Sequence, residues 1–127
     1  MRRYTLTGQL PRLALSEGPA RHPGKGEVAV ELRAASLNYR DLVVAGGAEG
    51  VVPLSDGAGV IAAVGDGVTN VKPGERVVIG FMPGWIEGEY SEAKTASSLG
   101  GPGVDAVLQE RIVVPAASVV RIPDSMN

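Results

Sequence analysis

The sequence contains no cysteine, and that closes several routes at once. It cannot build a disulfide framework, a thiolate zinc site or a cysteine nucleophile. The single histidine, His22, lies in the Pro/Gly-rich stretch "ARHPGKGE" (residues 20–27). A Ser-His-Asp triad or an imidazole metal centre needs partners that this loop does not offer, so His22 reads as a solvated loop residue. An excess of one charge is also missing. Twelve Lys and Arg face fourteen Asp and Glu, a net charge of −2, and the basic residues are scattered. That leaves no footprint for nucleic acid or for an acidic membrane surface. Long apolar runs are absent too, and Met1-Arg2-Arg3-Tyr4 leads into polar alternation. Neither a membrane-spanning helix nor a signal peptide is expected, and a cytoplasmic setting fits the lack of cysteine.

Glycine, by contrast, is abundant: 18 of 127 residues, about twice the usual ~7%. It follows no strict period, so a collagen-like chain is excluded. Glycines set among short Val-rich runs predict tight turns between strands. The length suits one domain.

The chain reads as a succession of short strands. "YTLTGQ" (4–9) and "RLALSEG" (12–18) flank a turn at Pro11. "EVAVELRAAS" (27–36) alternates, with Val28, Val30 and Leu32 on one side and Ala29, Glu31 and Arg33 on the other. The period then changes. Leu37, Asp41 and Val44 fall at helical spacing, with Ser36 or Asn38 as N-cap and Gly46 just past the end, which predicts a helix of about two turns. In "VVPLSDGAGVIAAVGDGV" (51–68), small residues surround Gly57 and Gly59 and an apolar run ends at the turn pair Asp66-Gly67. Pro73-Gly74 has the composition of a type II turn, leading into a buried strand at Val77–Ile79. Residues 81–103 show no period, and a stretch this long without regular structure is usually functional or mobile. "AVLQERIVVP" (106–115) and "SVVRIP" (118–123) read as two more strands. Six or seven strands, many turns and one short helix predict a mostly β fold, a barrel or sandwich.

Chemistry concentrates in "NYRD". Asn38, Tyr39, Arg40 and Asp41 place an amide, a phenol, a guanidinium and a carboxylate in four consecutive positions. They could wall a reactive cleft, or they could cap and solvate an ordinary helix. Ser55 and Asp56 precede close-packing glycines, where a turn or the opening of a strand is the plainer reading. Trp85, the only tryptophan, lies in the irregular stretch and could line a pocket or cover the edge of the core. "GDG" (65–67) and "GGPG" (100–103) match neither a P-loop nor a dinucleotide fingerprint, so the chain carries no nucleotide-binding motif of its own.

Taken in order, "PGKGEVAVELRAASLNYRDLVVAGG", "VPLSDGAGVIAAVGDGVTNVKPGERVV", "FMPGW" and "LGGPGVDAVLQERIVVPAASVVRIPDSMN" resemble the N-terminal, GroES-like domain of the medium-chain dehydrogenase/reductase superfamily. The likeness covers residues 23–127 and is greatest to the zinc-independent, alcohol dehydrogenase-like or quinone oxidoreductase-like branch. It implies a GroES-like, partly open β-barrel with one or more short helices. It also implies an oxidoreductase that pairs this domain with a C-terminal Rossmann domain, with NAD or NADP and a small-molecule substrate in the cleft between them. A homodimer is compatible with it.

In zinc-dependent members, a Cys ligand occupies the position of Asn38 and a His-Glu pair those of Ser55 and Asp56. Here Cys and His are replaced, and the four-Cys structural zinc loop is missing, so the resemblance implies no metal. It makes Asn38 and Tyr39 the catalytic candidates and places Asn38, Tyr39 and Arg40 at the cofactor, with Asp41 orienting its neighbours. Ser55, Asp56 and Trp85 become the substrate-binding candidates. The chain departs from the pattern in its short "AEGVV" loop (48–52) and in Ala106 and Arg111 of "DAVLQER". It also ends about where such chains enter the Rossmann half. The isolated chain is therefore expected to be inactive, and the alternative is a stand-alone GroES-like module that engages a protein partner.

Overall fold

A computed structural model describes all 127 residues. In chain order it contains β1 (Arg2–Leu6), β2 (Leu13–Glu17), β3 (Glu27–Ser36), α1 (Tyr39–Gly47), β4 (Asp56–Val64), β5 (Arg76–Ile79), α2 (Glu92–Thr95), β6 (Arg111–Pro115), a 3₁₀ turn (Ala116–Ser118) and β7 (Val119–Arg121). β1 and β2 form an antiparallel pair, and the other five strands form one antiparallel sheet in the order β6-β3-β4-β5-β7. The sheet has two free edges and does not close on itself. The expected mostly β, partly open architecture is what the chain adopts.

The alternation in β3 explains the core. Val28 and Val30 enter a cluster with Ile61, Val77, Ile79, Ile112, Val114 and their neighbours, drawn from every strand of the large sheet. Each such side chain contributes about 1.5–3 kcal/mol when fully buried. Ala29 is buried as well, so the strand is covered on both sides at its start, and a bulge follows between Ala29 and Val30. Gly59 faces β3 so closely that a Cβ would overlap the carbonyl oxygen of Glu31, which is why no larger residue fits there. At the predicted type II turn, Glu75 N–H donates to Lys72 O at 3.2 Å and Gly74 sits at φ 92°.

A second, smaller cluster positions the helix. Leu6, Val44 and Val51 pack together and clamp α1 against β1 and the loop that precedes β4. No helix is long and apolar enough to cross a membrane.

Several boundaries differ from the sequence reading, and one short helix is new. The first strand runs from Arg2 to Leu6 and not on to Gln9. The helix keeps Gly46 and Gly47 and ends at Ala48, whose N–H donates to Val44 O, so glycine is not the cap. Only Arg111–Pro115 of the predicted strand at 106–115 is a strand. The backbone N–H groups of Ala106, Val107 and Leu108 bond instead to the carbonyls of Val52, Leu54 and Pro53. Within the irregular 81–103 stretch, Ser91 caps the one-turn helix α2 by accepting from the Lys94 N–H at 3.4 Å.

Candidate functional site

The site follows from strand register. The last residue of β3, Ser36, pairs with the first residue of β4, Asp56. Two residues later the chain turns into α1, which brings Asn38 beside Asp56. Asn38 Nδ2 donates to Asp56 Oδ2 at 2.6 Å and to Ser36 Oγ at 3.2 Å. The first of these is charge-assisted, with the amide N–H meeting a carboxylate. Asn38 is the N-cap, yet its side chain is turned to β4. The helix entrance is fixed from the other side, by Asp41 Oδ2 accepting the Asn38 backbone N–H at 2.7 Å. Asp41 therefore holds its neighbour, while its Oδ1 is buried without a partner.

Tyr39 and Arg40, adjacent in sequence, have opposite surroundings. Tyr39 is 81% exposed, and its hydroxyl has no partner within the protein. Arg40 is turned inward. Its Nε donates to Ser55 Oγ at 3.1 Å and its Nη2 to Leu99 O at 3.3 Å. The guanidinium carbon lies 5.3 Å from the centroid of the Phe81 ring, a cation–π distance. Nη1 has no protein partner. Arg40 also borders a concavity of about 480 Å³ lined by Val43, Gly47 and Gly100–Gly103.

Ser55 is held by strain. It is 3% exposed and follows Leu54, whose φ of 73° lies in the left-handed region that a branched side chain rarely adopts. The three backbone bonds from 106–108 to 52–54 clamp that conformation. Segment 105–108 thus supports the site structurally. Asp105 adds to it by accepting the Val52 N–H on Oδ1 at 2.9 Å.

Of the residues singled out in the sequence, Asn38 and Asp56 form one pair and Arg40 and Ser55 a second. The pairs are adjacent because Ser55 and Asp56 are consecutive. Tyr39 projects from the same helical turn. Trp85 makes its contacts within its own loop: Nε1 donates to Gly88 O at 3.0 Å, and the ring meets Tyr90 edge-on at 6.0 Å. Sequence reasoning missed Phe81 and the Leu99 carbonyl as partners of Arg40. Phe81 carried a signal, as the only phenylalanine just past β5. Leu99 acts through its backbone, which no residue type announces.

Residues 24–124 match the alcohol dehydrogenase GroES-like domain, and the chain belongs to that family. It is 41% identical over 108 residues to a zinc-type alcohol dehydrogenase-like protein of Schizosaccharomyces pombe, covering 80% of this chain and 31% of that one. A crystal structure of an NAD-dependent alcohol dehydrogenase superposes with a TM-score of 0.82 and 30% identity, covering 100% of this chain and 41% of that one. A quinone oxidoreductase of Pseudomonas syringae pv. Tomato DC3000 superposes at 0.72 and 27%, covering 99% and 34%. The chain therefore spans about a third of the curated relative's length, and the expected medium-chain dehydrogenase/reductase kinship holds.

Proposed function

We propose that the chain is the substrate-side domain of an NAD(P)(H)-dependent oxidoreductase that acts on alcohols, carbonyls or enones by metal-free hydride transfer. The observation that carries this reading is the Asn38–Asp56 pair beside the exposed, unpartnered hydroxyl of Tyr39. When bound, a nicotinamide supplies or accepts the hydride. Hydride addition to a carbonyl leaves an oxyanion, and the Tyr39 O–H can donate to it. The Asn38 amide, steadied by Asp56 and Ser36, would hold the nicotinamide carboxamide. Nη1 of Arg40 would meet a cofactor phosphate. Asp56, Ser55 and Trp85 would shape the substrate side. Asp56 does so as an exposed acceptor, whereas Ser55 acts from behind Arg40.

Zinc fits this donor set poorly. The available groups are an amide, a hydroxyl and one carboxylate, with no imidazole or thiolate, whereas zinc prefers nitrogen and sulfur donors. The cationic Arg40 Nε lies 3.1 Å from Ser55 Oγ, which opposes a second cation there. No group of three or more His, Cys, Asp or Glu comes close enough together to hold a metal ion.

The reading joins this domain to a Rossmann domain that supplies most of the cofactor contacts, and a cytoplasmic setting is compatible with it. The short coverage of each relative supports that arrangement, and the relatives do not favour a stand-alone partner-binding module. An antibody raised against this chain should detect, in its source cells, a polypeptide far larger than 13.0 kDa, and a band at 13.0 kDa would overturn the reading. Titrated with NADPH, the isolated chain should show no tight, stoichiometric binding. Zinc at one equivalent in protein purified without chelator would end the metal-free reading.

A further inference from the structure

A separate cleft of about 550 Å³ runs along the free edge of β6; it contains none of Asn38, Tyr39, Arg40, Ser55 or Asp56, although Leu99 and Asp105, which support that site, also reach its wall. It is lined by Arg3, Arg21 and Arg111, with Glu27 and Asp105 as its only carboxylates. Arg21 is held by Glu27, at 2.6 Å to Oε1 and 2.7 Å to Oε2. The other two guanidiniums are poorly neutralised. Arg3 reaches Asp105 Oδ2 only at 3.8 Å, because Asp105 is anchored through Oδ1 to the Val52 N–H. Arg3 Nε is buried and has no partner. Arg111 makes neither an ion pair nor a side-chain hydrogen bond. It lies on the face of β6 opposite Ile112 and Val114, with Glu31, itself paired with Arg33, as its cross-strand neighbour on β3. A chain of net charge −2 therefore concentrates underused guanidinium donors in a single concavity.

We infer that this cleft binds a small anionic molecule through a phosphate or carboxylate group, with Arg111 and Arg3 as its principal donors. Guanidinium forks match both groups bidentately. Arg111 stands ready without breaking any existing pair, and Arg3 offers a second guanidinium whose only carboxylate partner is distant. The flanking Pro19, Pro83 and Val104 leave room for an apolar body.

Titration of the 127-residue chain at low ionic strength tests this, with inorganic phosphate in one arm and succinate in the other, followed by amide NMR shifts. The expected result is saturable shifts confined to the neighbourhoods of Arg3, Arg21, Arg111 and Val113, in at least one arm. Phosphate alone would assign a phosphoester class, and succinate alone a carboxylic acid. Arg121, which is paired with Glu75 at 3.2 Å on the opposite edge of the sheet and lies outside the cleft, serves as the internal control. R111E should weaken binding about tenfold or more, the effect of losing one charge-assisted contact and adding a repulsive one. Saturation in neither arm, shifts spread equally over Arg121, or unchanged affinity in a folded R111E would each overturn the assignment. Should R111E fail to fold, the wild-type shift map decides alone.

Discussion

Replacing Ser55 with alanine removes the hydroxyl that accepts from Arg40 Nε and leaves a charged N–H facing a methyl group. The bond measures 3.1 Å, and Ser55 is almost wholly buried. Hydrogen bonds to charged groups contribute about 1.5–3 kcal/mol. Arg40 is only half-buried and keeps its Leu99 carbonyl and Phe81 contacts, so water can recover part of that loss. The expected cost is at the low end, about 1.5 kcal/mol. For a chain this long the unfolding entropy is about 270 cal/mol/K, which converts the loss to a fall in Tm of roughly 5–6 °C. R40Q should cost at least as much, because it removes the ring contact as well. The decisive quantity is the double-mutant cycle S55A, R40Q and S55A/R40Q, read by urea unfolding with circular dichroism and the single-tryptophan fluorescence. A coupling of about 1 kcal/mol or more is expected for a direct pair. A coupling below about 0.3 kcal/mol, within the range of independent sites, would show that Ser55 does not fix Arg40 and that the arginine owes its orientation to other contacts.

Further outcomes are open to measurement. Y39F should leave the stability of the isolated chain within about 0.5 kcal/mol, since its hydroxyl has no protein partner. In the active enzyme the same change should lower kcat by about 10²-fold or more, and unchanged kcat would remove Tyr39 from the chemistry. G59A should cost about 3 kcal/mol or more, because the new methyl meets the β3 backbone and not a flexible side chain; a drop in urea midpoint no larger than that of an exposed control would refute the packing argument. I61A, truncating a side chain that is 1% exposed, should cost about 2–5 kcal/mol. Acid should destabilise the fold through Glu27, Glu75 and Glu110. Backbone N–H donors at Gly24, Lys72 and Arg2, then arginine partners, hold their carboxyls below the usual 4.5. A depressed folded-state value means the stabilisation is fully present above the unfolded value and is lost as pH falls through the folded one. The urea midpoint should therefore be flat near neutrality and decline below about pH 4.5, and the triple Gln variant should show a shallower decline.

How far the sequence could be read depended on where each interaction is encoded. β3 was legible because its alternation is a side-chain property, and Pro73-Gly74 because each residue supplies one dihedral of the turn. The capping role of Asn38 was legible as one of two candidates, and register decided it: with Ser36 opposite Asp56, only Asn38 sits where Asp41 can close the entrance. Residues 106–108 misled because Ala-Val-Leu has strand composition, while its backbone bonds go to a neighbouring loop and not to a ladder. Gly46 misled in the same way. Glycine tolerates the cap conformation but does not impose it, and the packing of Val44 against Leu6 and Val51 extends the helix past it.

At the site, residue types announced which groups carry chemistry but not which of them are free to use it. "NYRD" presents three donors of similar promise in sequence, and the fold treats each differently. The Asn38 amide is tied to Asp56, the Arg40 guanidinium is drawn beneath the surface by Ser55 and Leu99, and only the phenol of Tyr39 is left without a partner. Ser55 points inward and Asp56 outward as consecutive residues entering β4, and the backbone just before them is clamped by 106–108, with Leu54 in a left-handed conformation. A non-glycine residue in that conformation is a local conflict that the surrounding bonds must hold in place. It lies between two backbone segments some fifty residues apart, beyond the reach of any local pattern.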